Sequence, residues 1–428
     1  MPLAKKIILL FGDAFVFYVS LFLMLFIRYG DSFSARFPSH VAPFSLLFLG
    51  WFLFFYLSDL YQISSLQDHR LLLRRLFVSV SLSLIASVLM FYLFGSFFHL
   101  TPKTNLFLFS VLYFILFYFW RLLVPRILFL DRVRIALIGA SPLFSEITER
   151  LSSQTLHGYV VAYQHNTFPA EGFEKILKKH SIDQVVLDAS SFPSSLPFFS
   201  QRVPFSSLRD FYETLFEKVA LSELDGSWVF RHVASSRPFY DFTKRCADVL
   251  LSLALLILLL PISSLIALLV FLTSRGPIIF SQKRIGKHEH EFILYKFRSM
   301  RHESRGPLWT EANDSRLTSL GKFLRSSHLD EIPQLWNILW GDISFTGPRP
   351  ERSELASTYS LLPFYQFRHS VKPGLTGWAQ INFRSSTSLE EAREKLCYDM
   401  YYIAHRSLLL DIIIIVRTIR YIFISFKR

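Results

Sequence analysis

The sequence predicts a membrane protein in three parts. An α-helical transmembrane bundle occupies residues 1–130 and a Rossmann-like α/β module 131–237. A membrane-associated α/β domain fills 238–428, with a re-entrant membrane helix at 248–273 and a C-terminal interfacial helix. Three observations carry this reading. The 428 residues are 51% hydrophobic and 17% aromatic, with mean hydropathy +0.34, too apolar for a soluble chain of this length. Long apolar runs crowd the first third of the chain, and after them short β-rich runs alternate with helical spacing.

Four apolar runs, at 7–27, 43–61, 76–98 and 106–123, each approach the length that crosses a bilayer core of about 30 Å. The first ends in Arg28 with no small-residue cleavage site, which favours a span over a cleaved signal peptide. Basic residues set the orientation. Lys5 and Lys6 precede the first run, Arg70, Arg74 and Arg75 lie between the second and third, and Arg121, Arg126, Arg132 and Arg134 follow the fourth. Both ends of the bundle are therefore expected in the cytoplasm. Asp13, near the inner boundary, is expected to make a structural polar contact. The net charge of +13 points to anionic lipid and phosphorylated substrates, not to nucleic acid, since no nucleic-acid motif accompanies it. Cys246 and Cys397 are too few for a disulfide framework or a thiolate metal site.

From Val133, RVRIALIGAS reads as a strand and turn, SPLFSEITERLSSQ as a helix, then VVAY as a strand, residues 173–179 as a helix and DQVVLDAS as a third strand. That βαβαβ order predicts a parallel sheet. After Gly139 come Ala140 and Ser141, so no GxGxxG can be placed, and the module is expected to be regulatory or structural. It ends near Arg237, where a polar, basic linker begins.

The next apolar run, 248–273, is long enough to span. Both flanks are basic, however, with Lys244 and Arg245 before it and Arg275, Lys283, Arg284 and Lys287 after it, which places both ends on one side. Pro261 sits mid-run, where it breaks the helix. A helix that enters, bends and leaves on the cytoplasmic face follows.

Beyond it, residues 324–351, LRSSHLDEIPQLWNILWGDISFTGPRPE, set the adjacent acids Asp330 and Glu331 among Arg325, Arg349 and Arg352. Such acid pairs are commonly solvated surface groups. Here Ile332, Leu335, Trp336 and Leu339 form a helical apolar face, which places the acids at a helix N-terminus that favours anions. Phosphoryl transfer needs a nucleophile at phosphorus and positive groups around charged oxygens. Asp330 can supply a carboxylate nucleophile, and Glu331 suits Mg²⁺, which takes one or two carboxylates together with substrate phosphates and water. Arg349, between two prolines, is held for forked bonding to phosphate. Arg284, Lys296, Arg298 and Arg325 are further phosphate-binding candidates. His288, Glu289, His290 and Glu291 read as a polar hairpin turn. Trp378 lies either at the membrane interface or in a packed core. In the tail, SLLLDIIIIVRTIRYIFISFKR, the charges of Asp411, Arg417 and Arg420 favour an interfacial helix.

The strings SRGPIIFSQKRIGKHEHEFILYKFRSM, NDSRLTSLGKFLRSSHLDEIPQLWNILWGDISFTGPRPE and RHSVKPGLTGWAQIN resemble, in order, the bacterial sugar transferase family of polyprenyl-phosphate hexose-1-phosphate transferases. The resemblance runs from Thr243 to the C-terminus. The N-terminal runs and the βαβαβ module resemble the family's large form, which includes undecaprenyl-phosphate glucose and galactose phosphotransferases. It implies a UDP-sugar donor, undecaprenyl phosphate as acceptor, an aspartyl-phosphosugar intermediate with Asp330 attacking and UMP leaving, and Mg²⁺. It also implies a multi-pass protein of the bacterial inner membrane with its catalytic domain in the cytoplasm, among membrane lipids, homo-oligomerisation being left open. The chain departs from the pattern at His328, usually serine or threonine, at Trp340, usually lysine, and at Leu260, often serine in small members. The rival readings are a membrane-tethered nucleotide-sugar dehydratase or epimerase, which needs a glycine-rich turn and a Tyr-x-x-x-Lys pair absent from 133–237, and a non-enzymatic scaffold for glycan export.

Overall fold

The computed structural model describes residues 3–58, 60–61, 69–93, 103–128, 132–153, 158–169, 172–188, 203–233, 235–273, 275–300, 316–383 and 388–425. The expected end of the third apolar run, 94–98, and the NDS that opens the second motif lie outside them. The chain forms two compact units, Met1–Ser207 and Leu208–Arg428.

In the first unit, helices α1 (Leu3–Tyr29), α2 (Phe33–Leu57), α3 (His69–Leu93) and α4 (Lys103–Leu128) form a bundle. Among the described residues of this unit, three stretches, Ile8–Tyr56, His69–Tyr92 and Thr104–Val124, are long and apolar enough to cross a membrane, the first holding both α1 and α2. Phe17, Trp51, Phe109 and Tyr113 pack edge to face or stacked at 4.8–6.2 Å between centroids, so aromatic contacts hold the bundle where lipid offers no hydrophobic drive. Asp13 makes the expected structural contact. Its partner is Arg121, at 2.7 Å with both side chains fully buried, and Trp120 donates to it at 3.0 Å. Arg121 is thus spent inside the bundle and does not act as a flanking charge.

A four-stranded parallel sheet of order β2-β1-β3-β4 follows, from β1 (Val133–Ile138), β2 (Tyr159–His165), β3 (Gln184–Leu187) and β4 (Phe205–Ser207), with α5 (Leu143–Ser153) and α6 (Phe173–His180) as crossovers. The expected alternation is present, with one further strand. Gly139 (φ +142) is required because a Cβ there would meet Asp188 Cβ at 2.3 Å.

The second unit begins at Leu208, not near Arg237. Helices α7 (Leu208–Phe216) and α8 (Gly226–His232) belong to it. Trp228, 1% exposed, shares a core with Met400 and Ile403, and Val219 N donates to Cys397 O at 3.1 Å. The polar linker that marked Arg237 in the sequence is instead pinned, since Arg237 donates to the carbonyls of Arg406 and Ala404 at 2.6 and 2.9 Å.

The long apolar run is two helices, α9 (Pro238–Leu258) and α10 (Leu260–Thr273), bent by 62°. The bend falls at Leu259 (φ −89, ψ 1). Pro261 is the second residue of α10, where its missing N–H is harmless, while its ring bars α9 from continuing past the Ile257 carbonyl. Leu250, Ile257, Leu258, Leu260, Phe271 and Leu272 on the two helices are 63–70% exposed. An apolar surface of that extent needs a lipid or protein cover.

A hairpin of β5 (Ile279–Ile285) and β6 (Glu291–Phe297) turns at Lys287–Glu289, as expected for the His/Glu cluster. Then come α11 (Ser319–Ser326), capped by Thr318 on Gly321 N at 2.9 Å, the 3-10 turn Leu329–Glu331, α12 (Gln334–Trp340) and the parallel pair β7 (Ser344–Thr346) and β8 (Gly374–Thr376). The remaining helices are α13 (Ser353–Tyr359), α14 (Trp378–Asn382), α15 (Leu389–His405) and α16 (Leu408–Ser425). Trp378 is core, 3% exposed, and donates to Glu217 O at 2.8 Å. In α16 the interrupting charges have internal uses. Asp411 is buried and pairs with Lys244 at 2.8 Å, and Arg417 lies over the Trp378 ring at 4.8 Å.

Candidate active site

Asp330 and Glu331 sit in the 3-10 turn before α12, not in the helix's own first turn. The turn opens on His328 in the left-handed region (φ 56), which histidine tolerates better than bulky or β-branched residues, and it closes on Pro333. α12 has seven residues, so its dipole is small, and the electrostatics come from side chains. Lys296 Nζ, from β6, reaches Glu331 Oε1 at 2.5 Å and Asp330 Oδ2 at 3.9 Å. Arg349 Nη2 donates to the same Glu331 oxygen at 2.9 Å.

The two acids are driven apart. Burial works against the Glu331 carboxylate, but Lys296 and Arg349 override it and hold Glu331 well below the usual carboxylate range. Burial pushes Asp330 above that range, and neighbouring Glu331 adds to the rise; Lys296 and then Arg325 pull it back. Glu331 is therefore a fixed anion at neutral pH, while Asp330 is a buried carboxylate whose charge depends on Lys296. Two adjacent carboxylates without a third acid fit Mg²⁺ completed by substrate phosphates and water. Groups of three or more metal-binding side chains are absent among the described residues.

The other predicted cations separate. Arg325 Nε donates to Ser299 Oγ at 2.9 Å and faces Asp330 electrostatically. Arg284 donates to Pro350 O at 3.0 Å and Gln282 Oε1 at 2.8 Å. Burial and the nearby Arg349 and Arg352 lower its pKa to about 10, so it crowds positive charge behind the GPRP loop without touching the acids. Arg298 is buried, and its Nη2 donates to Val270 O at 3.5 Å, tying the end of β6 to α10.

Sequence reasoning missed the support of Arg349. Arg368, 3% exposed, donates to the Arg349 carbonyl at 3.0 Å and to Asp399 of α15 at 2.8 Å, and lies 3.6 Å from Glu351. Glu351 also accepts from Lys395, and despite burial Lys395 and Arg368 lower it to about 2. The prolines alone do not fix the loop; a buried ion network does. Its one signal in the sequence was Arg368 in the RHSVKPG motif.

Residues 239–425 match the family described as bacterial sugar transferase. The chain is 37% identical over 227 residues to the UDP-N-acetylgalactosamine-undecaprenyl-phosphate N-acetylgalactosaminephosphotransferase of Aeromonas hydrophila, across 52% of this chain and 53% of that one. It is 44% identical over 186 residues to the UDP-glucose:undecaprenyl-phosphate glucose-1-phosphate transferase of Xanthomonas campestris pv. campestris, across 42% and 38%. It thus spans about half or less of these two relatives. The exopolysaccharide production protein PSS of Rhizobium leguminosarum bv. phaseoli, 38% identical over 185 residues, is covered over 92% of its length by 41% of this chain. The chain belongs to the bacterial sugar transferase family. All the residues that gather around Asp330 in this family member lie within the matched region.

The opposed shifts make a prediction. Lys296→Gln removes the strongest cation lowering Asp330, so the Asp330 pKa rises. If the reaction needs Asp330 ionised, activity falls as pH drops through that pKa, and the acid limb of kcat/KM should move to higher pH. An unmoved limb would show that Asp330 does not set it.

Proposed function

We propose that the chain transfers a hexose 1-phosphate from a UDP-hexose to undecaprenyl phosphate, the initiating step of exopolysaccharide, capsule or O-antigen synthesis. The observation that carries the reading is the buried Asp330 beside Glu331, with Lys296 reaching both acids and Arg349 bonded to Glu331. An Asp330 oxygen attacks the β-phosphorus. The bond to the bridging oxygen breaks and UMP leaves with the electron pair. The lipid phosphate oxygen then attacks the aspartyl phosphorus and returns the Asp330 carboxylate. Lys296 and Arg349, freed in part from Glu331, stabilise charge on the transferring oxygens. Glu331, together with substrate phosphates and water, would hold Mg²⁺, which when bound would neutralise pyrophosphate charge. The names of the relatives above support the substrate class. A panel of UDP-sugars assayed for UMP release with undecaprenyl phosphate tests it: one or a few donors should turn over, and release from none of them would overturn the reading.

The exposed leucines of α9 and α10 and the basic flanks support a re-entrant hairpin, and with it a multi-pass protein of the bacterial inner membrane whose active site faces the cytoplasm. The exposed face of α16, with Leu409, Ile412 and Tyr421, suits an interfacial helix. The parallel sheet of the first unit is Rossmann-like, and its lack of a glycine-rich turn suits a regulatory or structural part. Pro261→Leu removes a helix penalty of about 3 kcal/mol and should favour a straight helix. With single-cysteine labelling at Lys287, an impermeant reagent should leave intact cells unlabelled before the substitution. Labelling of the otherwise native chain from outside would contradict the hairpin.

A further inference from the structure

A cavity of about 130 Å³ lies away from Asp330, lined among others by Asp241, Lys244, Arg245, Lys287, Lys372 and Arg406. The acids occupy the entry to α12; this cavity sits at its exit. Arg245 donates to the carbonyls of Ile338 and Leu339, both at 2.7 Å, and a Cβ on Gly341, which ends the helix at φ +97, would lie 3.1 Å from Lys372 Nζ and 3.3 Å from Arg245 Cζ. Seven residues at 1.5 Å each put roughly 10 Å of helix between the two places.

The charges in the cavity do not balance. Lys244 is matched by Asp411. Asp248 accepts from Ser344 Oγ at 3.0 Å and Phe345 N at 3.2 Å. Arg245 and Arg406 bond only to carbonyl oxygens in the contacts described. Neither the Lys287 nor the Lys372 ammonium group has a hydrogen-bond or ion-pair partner among the described residues. Burial, Arg245 and Lys287 hold Lys372 below its usual value, against the pull of Asp248 and Asp342. Five cations line the cavity against two acids, Asp241, which faces Arg406, and Asp248, and like charges so gathered favour an anion between them. The space is about four times the roughly 30 Å³ share of a water, enough for a phosphate group. Its position suits a lipid: Arg245 lies on α9 between the exposed Phe242 and the exposed Leu250, among side chains that would meet the membrane surface if α9 enters the bilayer there. That last step rests on the re-entrant reading above.

We propose that Arg245, Lys287 and Lys372 form a second phosphate site, separate from the acids, that takes the headgroup of an anionic membrane lipid. The test is acetylation of lysines in the full-length chain in a neutral maltoside, read by mass spectrometry. Dihexanoyl phosphatidylglycerol should slow modification of Lys287 and Lys372 saturably, by about threefold at twice the half-saturating concentration. Lys283, 71% exposed on the same hairpin, should be unaffected. Lys372→Met should abolish the protection of Lys287 while UMP release persists, which also separates this proposal from the fate of the proposed reaction. Equal protection by inorganic phosphate would keep the site and overturn the lipid. Protection by UDP alone would make the cavity part of the donor site and overturn its separateness, and protection by none of the three would overturn the site.

Discussion

Asp330→Asn should reduce UMP release by at least ~10³-fold, the scale on which loss of a catalytic nucleophile is felt. The substitution is nearly isosteric, and Asp330 is 5% exposed with Lys296 3.9 Å away, so the fold should survive. Glu331→Gln should behave differently. It removes the anion that holds Lys296 and Arg349, so activity should fall less and the Mg²⁺ concentration giving half-maximal rate should rise. If the two variants lose activity equally and with the same Mg²⁺ dependence, the division of labour between the acids is wrong.

A chain starting at Leu208 should fold and turn over, whereas one starting at Pro238 should be severely destabilised. The second cut removes α7 and α8 and with them Trp228, Val219 and Leu221, each 5% exposed or less. It also removes the Lys218–Glu394 pair and the Glu213–His405 contact. Losing one buried tryptophan side chain costs about 3–5 kcal/mol, against a total stability of roughly 5–15 kcal/mol. Thermal unfolding of both chains in the same detergent checks this. Equal midpoints would mean that Leu208–His232 is an appendage and that the functional boundary lies near Arg237 after all.

That boundary shows where the sequence stopped being legible. The apolar runs, the βαβ alternation and the hairpin around His288 follow from local periodicity and turn chemistry, and the structure has them. Asp330, Glu331, Lys296 and Arg349 come together as their motifs implied. What local spacing could not reveal were pairings across long stretches of chain. Lys244 meets Asp411 after 167 residues, and Arg368 reaches both Arg349 and Asp399. In the sequence Asp411 interrupts an apolar tail and reads as an interfacial charge; in the fold it is a buried partner. The segment 208–237 carries no motif, so nothing in it announced that its tryptophan fills the core of α15.

In the proposed reaction Asp330 becomes covalently phosphorylated by the donor. The direct measurement is the mass of the full-length enzyme, mixed with Mg²⁺ and a UDP-sugar that it turns over, without lipid acceptor, and quenched in acid. One hexose phosphate per chain should appear, located on the peptide containing Asp330, absent from Asp330→Asn and discharged by undecaprenyl phosphate. Turnover with lipid present but no adduct before it, or an adduct that persists in Asp330→Asn, would contradict it.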